Sequence, residues 1–205
     1  MDKALYTSMT GAKHNTIAQT VHANNLANVS TDGFRRDYVT ARSMGIYYGD
    51  GFPTRAHALA ERPATDFEVG TLRETGRDLD IAVSGEGWIA VQAPDGKEAY
   101  TRAGNLRITP LGQLLTGNGL PVRGNGGPIA IPDSSKIEIG GDGPITVRAL
   151  GQGPESLSAI NYIRLVNPPE RALVQRQQGL AYYLNGARAP VHSQICVVSG
   201  FLDGS

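Results

Sequence analysis

The N-terminal thirty residues carry a long helical pattern for which the rest of the chain offers no partner. Over residues 2–28, Leu5, Met9, Ala12, Thr16 or Ile17, Val21 and Leu26 recur near the three-to-four spacing of one helix face. The stripe is narrow and made partly of small residues. Thr7, Ser8, Thr10, Lys13, His14, Asn15, Gln19 and Thr20 fill the other faces. Such a helix buries too little apolar area to be stable alone, since isolated helices depend on packing. It needs a partner helix, and no second pattern of comparable length follows. Whatever this chain folds into must therefore supply that partner from elsewhere.

The helix closes in the stretch Ala23-Asn24-Asn25-Leu26-Ala27-Asn28-Val29-Ser30-Thr31-Asp32-Gly33-Phe34. Asparagine is a poor helix-interior residue because its amide competes for nearby backbone groups. Three of them at a helix end point to capping, or to bonds with something outside the segment. Ser30-Thr31-Asp32-Gly33 is a turn sequence, with Gly33 free to take positive φ. Composition alone describes no more than a helix terminus followed by a loop.

Beyond that joint the chain changes character. Residues 34–77 are apolar in places but aperiodic and broken by Gly45, Gly49, Gly51, Pro53 and Pro63, with one strand candidate at residues 67–72. A long aperiodic segment of this kind implies contact with something else. From Leu79 onward short strands alternate with turns. Strands are predicted over 80–83, 88–91, 98–102, 106–109, 113–116, 120–123, 129–131, 136–139, 145–149, 162–166, 180–184 and 195–198, joined by turns such as Pro94-Asp95-Gly96 and Gly117-Asn118-Gly119. The 26 glycines and 12 prolines fit many short strands better than a helical bundle. The expected fold is mainly β with an N-terminal α-helix: an irregular sandwich or barrel-like outer domain plus a helical segment. Its parts are residues 1–34 (helix and joint), 35–77 (irregular), 78–185 (β-rich) and 186–205 (return segment).

The residues offer little chemistry. Nineteen basic and nineteen acidic side chains cancel, leaving no surplus to draw nucleic acid. Gly124-Asn125-Gly126-Gly127 precedes Pro128 and a short strand rather than the helix of a phosphate cradle. His14 and His22 lie two helical turns apart, too far to share a metal, and His57 and His192 are scattered. Cys196, the sole cysteine, sits between Ile195 and Val197 and is expected to be a small buried strand residue. Asp78, Asp80 and Glu86 near Trp88 superficially resemble a glycosidase pair beside a sugar-stacking ring. Acidic residues flanking a tight turn are more commonly turn caps. Ser84 lies in Val-Ser-Gly-Glu-Gly, which is not the hydrolase elbow. No catalytic, cofactor, metal or small-molecule site is expected. No apolar run reaches the ~20 residues of a membrane span, and no cleavable signal peptide is visible.

Four motif blocks carry a resemblance. Asn24-Asn25-Leu26-Ala27-Asn28-Val29-Ser30-Thr31-Asp32-Gly33-Phe34 resembles the N-terminal signature of bacterial flagellar basal-body rod and hook proteins. Leu79-Asp80-Ile81-Ala82-Val83-Ser84-Gly85-Glu86-Gly87-Trp88 resembles the family's second block. The third is Tyr100-Thr101-Arg102-Ala103-Gly104-Asn105-Leu106 with Gly112-Gln113-Leu114-Leu115-Thr116 and Gly119. Val198-Ser199-Gly200-Phe201-Leu202-Asp203-Gly204-Ser205 resembles the block that opens the C-terminal region. The blocks run in family order across nearly the whole chain. The opening residues 1–13 are most similar to the F-type proximal-rod branch.

The resemblance implies an axial subunit, exported without a cleaved peptide by the flagellar type III apparatus and assembled helically in the periplasm. It implies N- and C-terminal helices paired along the axis, with a β-rich domain outside. The unpartnered helix then finds its partner beyond Ser205 and on neighbouring subunits, and the C-terminal helix itself is absent from this sequence. Leu5, Met9 and Ala12 would form a packing stripe. Asn24, Asn25 and Asn28 would bond between subunits, and Leu26, Val29 and Phe34 would anchor the turn. Torque would pass through many such interfaces in parallel. The expected partners are other rod proteins, further copies of the chain and the export apparatus, with the isolated chain monomeric or weakly associating. The alternatives are a distal-rod or hook-type axial protein, a cell-surface carbohydrate- or protein-binding β-module using Trp88, Tyr47-Tyr48 and Tyr182-Tyr183, and a glycosidase using Asp80 and Glu86.

Overall fold

A computed structural model describes residues 4–47, 55–60, 64–66, 68–149, 151, 156–169, 173–177, 180–183, 188–192 and 194–204. It forms two compact units. One is Met1–Val29 with Arg35–Phe67, and the other is Ser30–Phe34 with Glu68–Ser205. The fold is mainly β with one N-terminal helix, as expected. The sheets are small and irregular, and none closes into a barrel among the described residues.

In the first unit the helix spans Ala4–Ala27. Its interior threonines are accommodated by back-bonding one turn up: Thr10, Thr16 and Thr20 each donate to the carbonyl four residues earlier, at 2.8, 3.0 and 2.9 Å. A hairpin of Ala41–Ile46 and Arg55–Ala60 packs beside it, paired in register from Ala41↔Ala60 to Ile46↔Arg55. A shorter pair joins Asp37–Tyr38 to Ala64–Thr65. The region read as aperiodic is thus largely a hairpin. Its strands, Ala-Arg-Ser-Met-Gly-Ile and Arg-Ala-His-Ala-Leu-Ala, carry small alanines where large apolar residues would mark an inward face, so period-two patterning did not reveal them. The strand expected at residues 67–72 lies further along: residues 68–71 belong to no strand, and the strand is Leu72–Glu74. Phe67 lies outside the described residues, as do Gly49, Gly51, Pro53 and Pro63.

The second unit holds a five-stranded antiparallel sheet in the order Leu165–Val166, Trp88–Gln92, Glu98–Thr101, Leu180–Tyr183, Leu173–Gln177. A three-stranded sheet runs Ser134–Ile139, Pro144–Ala149, Ser158–Tyr162. Two-stranded pairs complete it, including Ile81–Ser84 with Cys196–Ser199 and Leu72–Glu74 with Phe201–Asp203. Ile81, Val83, Ile89, Val91, Leu106 and Leu114 are fully buried and form the centre of the apolar core. Most strands fall where alternation and turn signals place them. Three do not. The strand expected at residues 120–123 is Arg123–Gly124, with Pro121 and Val122 in isolated bridges. The strand expected at residues 129–131 pairs instead at Gly127–Pro128, leaving Ile129 and Ile131 buried beside it. The strand expected at residues 162–166 is divided between the ends of Ser158–Tyr162 and Leu165–Val166. Cys196 is exposed rather than buried, because strand alternation turns Ile195 and Val197 inward and the thiol outward.

Candidate assembly joint

Ser30–Phe34 belongs to the β-rich unit, although the residues on either side of it belong to the other. The chain leaves its helix, touches down on the β-rich unit for five residues, and departs again. What holds it there is specific. Gly33 adopts φ +67°, and its N–H donates to the Asp203 carbonyl at 2.8 Å. Phe34 N–H closes the turn onto the Thr31 carbonyl at 3.2 Å, and the Phe34 ring is buried. Asp32 accepts from Arg73 at 3.0 Å. A β-carbon on Gly33 would lie 2.3–2.6 Å from the Arg102 and Ala103 backbone, so only glycine permits this approach.

Beneath the turn lies a buried ion pair. Arg102 Nε stands 3.1 Å from Asp203 Oδ2, with side-chain exposures of 2% and 0%. The other end of the guanidinium donates to the carbonyls of Val83, at 3.3 Å, and Gly85. Arg102 therefore ties the Val83–Gly85 segment to Asp203, and Asp203 presents its carboxylate to Arg102 and its carbonyl to Gly33. Nearby, Gly104 lies so close to Ile81 that a β-carbon would come within 1.6 Å of the Ile81 oxygen, while Ile81 N–H donates to the Gly104 carbonyl at 3.0 Å. Gly200 N–H donates to the Asp80 carbonyl at 2.7 Å. Within the β-rich unit, residues from all four motif blocks thus meet around the Gly33 turn. Sequence reasoning did not single out Arg102 or Asp203. The available signal was a single charged residue in each of two otherwise uncharged blocks.

On the helix side, the three asparagines are engaged within the chain. Asn25 donates through Nδ2 to the Asp37 carbonyl at 2.9 Å and accepts the Asp37 N–H at 3.1 Å, imitating a strand partner. Asn28 Nδ2 donates to the Asn24 carbonyl at 2.9 Å and to Asn24 Oδ1 at 3.2 Å, capping the last turn. The expectation that these amides stay unmade in a single chain does not hold for them.

The apolar stripe divides in two. Ile17 and Val21 lie on a half-buried face with Thr7, Thr10, His14 and Asn25. Leu5, Met9, Ala12 and Leu26 lie on another, with Leu5, Met9 and Leu26 exposed by 75%, 63% and 74%. Residues 5, 9, 12, 16, 19, 23 and 26 alternate steps of four and three, the seam spacing of a coiled coil. Val29 is also exposed, whereas Phe34 is buried within the β-rich unit.

The other sequence candidates do not assemble into a site. Asp80 is buried and paired with Arg77 at 3.2 Å, while Glu86 is exposed on the following turn. Trp88 is buried in the sheet and offers no platform for a sugar. Tyr47 is exposed, Tyr182 and Tyr183 are half-buried, and Tyr48 lies outside the described residues.

Comparison with known proteins agrees with this layout. Residues 82–147 match the family profile of the flagellar hook protein FlgE/F/G D1 domain. Residues 5–35 match that of the flagella basal body rod protein. The chain is 38% identical to flagellar basal-body rod protein FlgF of Salmonella typhimurium, the match covering 100% of this chain and 83% of that one. FlgF of Escherichia coli is 37% identical with the same coverage. FlgG of Buchnera aphidicola subsp. Schizaphis graminum is 36% identical over 82% of this chain and 69% of its own length.

Proposed function

This chain belongs to the flagellar basal-body rod protein family, and we infer from that premise that it is a structural subunit of the rod, serving bacterial motility. Assembly with other rod proteins follows from membership. Its finer placement is an F-type position in the proximal rod, reached through the flagellar export apparatus and built helically in the periplasm. The work is mechanical rather than catalytic: each copy transmits torque through contacts with its neighbours.

One observation supports this reading above the others. The helix keeps a coiled-coil-spaced face with Leu5, Met9 and Leu26 exposed, although its other face is already half-buried. Uncovered leucine and methionine side chains gain about 1.5–3 kcal/mol each on full burial, so this face favours a helical partner. Contacts of this kind that do not close into a ring extend into helical filaments. Within the β-rich unit, Gly33, Phe34 and the Arg102–Asp203 pair would hold the turn of Ser30–Phe34 in place. The experiment is deletion of the gene followed by imaging of basal bodies. Absent or shortened rods and lost swimming are expected. Rods of normal length in swimming cells would overturn the reading.

A further inference from the structure

At one side of the five-stranded sheet, a single carboxylate faces three guanidinium groups. Glu98 Oε1 accepts from the Tyr100 hydroxyl at 3.0 Å and from Arg164 Nε at 3.2 Å. Arg164 donates onward to the Ala189 carbonyl at 2.6 Å, and Ala189 N–H donates to the Tyr100 hydroxyl at 2.8 Å. These four groups close a ring in which Glu98 and Arg164 balance each other. Two further cations stand outside the ring. Arg123 Nε is 3.5 Å and Arg188 Nε 3.8 Å from Glu98 Oε2, ion-pair distances without hydrogen-bond geometry. Arg123 Nε is buried and has no hydrogen-bond partner among the described residues.

Among the described residues the local sum is three positive charges against one negative, with Arg123 and Arg164 only 12% and 16% exposed. A guanidinium carries five donors, so Arg123 and Arg188 retain most of theirs. A partly buried cation surplus is costly until an anion meets it. Arg188, at 67% exposure, brings the cluster to the surface. We propose that Arg123 and Arg188 form a receptor for a carboxylate borne by a second copy of this chain in the assembled rod. The assignment of the occupant rests on the rod reading.

Charge complementarity selects that occupant. The whole chain is neutral, so a local surplus of two cations is matched by acids elsewhere on it. Glu74, Asp78 and Glu86 are exposed and make no ion pair among the described residues. Glu74 ends the strand Leu72–Glu74, and Asp78 and Glu86 lie on either side of Ile81–Ser84, within the same unit. A basic receptor and a separate acidic edge on one molecule give a head-to-tail contact, the kind that propagates.

The test has two arms. In the first, inorganic phosphate is titrated into the isolated chain at constant ionic strength and the arginine Nε resonances are followed by NMR. A saturable shift of the Arg123 and Arg188 signals is expected, with affinity falling about tenfold in Arg188→Gln, the loss of one charge-assisted contact. No saturable shift, or equal affinity in Arg188→Gln, overturns the receptor. Arg188 is exposed, so the variant keeps its fold, and its amide spectrum checks this. In the second arm, a deletion strain is complemented with Arg188→Glu. Lost swimming is expected, with recovery on adding one of Glu74→Lys, Asp78→Lys or Glu86→Lys. Wild-type rods with Arg188→Glu, or no recovery from any reversal, overturns the second copy as occupant. The phosphate arm does not depend on the rod reading, whose own failure appears as normal rods in the deletion strain.

Discussion

Replacing Gly33 with alanine tests the joint at its tightest point. Three costs follow from the structure. At φ +67° an alanine loses about 1–2 kcal/mol relative to a right-handed conformation. Its β-carbon would stand 2.3, 2.5 and 2.6 Å from Arg102 C, Ala103 N and Arg102 O, and backbone atoms cannot swing aside. The turn must therefore withdraw by about 1 Å to reach ordinary contact distance. That withdrawal stretches the 2.8 Å bond from Gly33 N–H to Asp203 beyond hydrogen-bonding range, about 0.5–1.5 kcal/mol more. The total is about 2–4 kcal/mol, with partial uncovering of Phe34 at the upper end. The loss should stay local, because the central sheet does not run through the turn. Hydrogen exchange reads this directly: amides of residues 31–34 and 201–203 should lose protection by about 30- to 1000-fold, while those of Trp88–Gln92 keep theirs. Gly11→Ala is the control. It lies in the helix with nothing within 4 Å of a new β-carbon, so the same chemical change should stabilise by about 1 kcal/mol. Unchanged protection at residues 31–34 in Gly33→Ala would refute the joint as described.

Other perturbations separate the remaining elements. Asp203→Asn removes one partner of a buried pair and should destabilise the β-rich unit by about 3–5 kcal/mol in urea unfolding, whereas Arg102→Met with Asp203→Leu should cost less than either single change. Asn25→Ala leaves the Asp37 N–H and carbonyl without their partner and should cost about 1–2 kcal/mol, seen as faster exchange at the helix end. Burial, together with the nearby Glu98 carboxylate, pushes the Tyr100 hydroxyl up to about 12, against the hydrogen bond from Ala189 that favours its ionisation. Since the folded value lies above the unfolded one, this contribution is whole below pH ~10 and is lost as pH rises toward ~12. Ultraviolet titration should find Tyr100 among the last tyrosines to ionise, and the stability slope across that window should flatten in Tyr100→Phe.

Much of the fold was legible in the sequence where a local signal exists. The helix, the strands around Trp88 and the turn glycines all announce themselves through periodicity or backbone demand. The hairpin of Ala41–Ile46 and Arg55–Ala60 did not, because its strands are mostly small or exposed residues without a run of large apolar side chains on one face. The stripe of residues 5 to 26 showed its period but not its division, since a repeat near 3.6 cannot say which residues a nearby hairpin will cover. The joint was visible as a turn but not as a meeting place. Gly33, Arg102 and Asp203 are far apart in sequence, and only tertiary pairing of the last strand with Leu72–Glu74 brings them together. The Glu98 cluster was illegible for the same reason, its arginines arriving from three separate segments.

The central claim is that the exposed face of the N-terminal helix is buried between subunits of the rod. Its most direct measurement is electron cryomicroscopy of basal bodies from a deletion strain complemented with the chain carrying Leu5→Asp, Met9→Asp and Leu26→Asp. All three positions are exposed, so each change should cost the isolated chain only about 0.5–1 kcal/mol, through helix propensity and, at position 26, the helix dipole. A folded, exported protein with rods absent or shortened and swimming lost is expected. Rods of wild-type length containing the triple variant would contradict it.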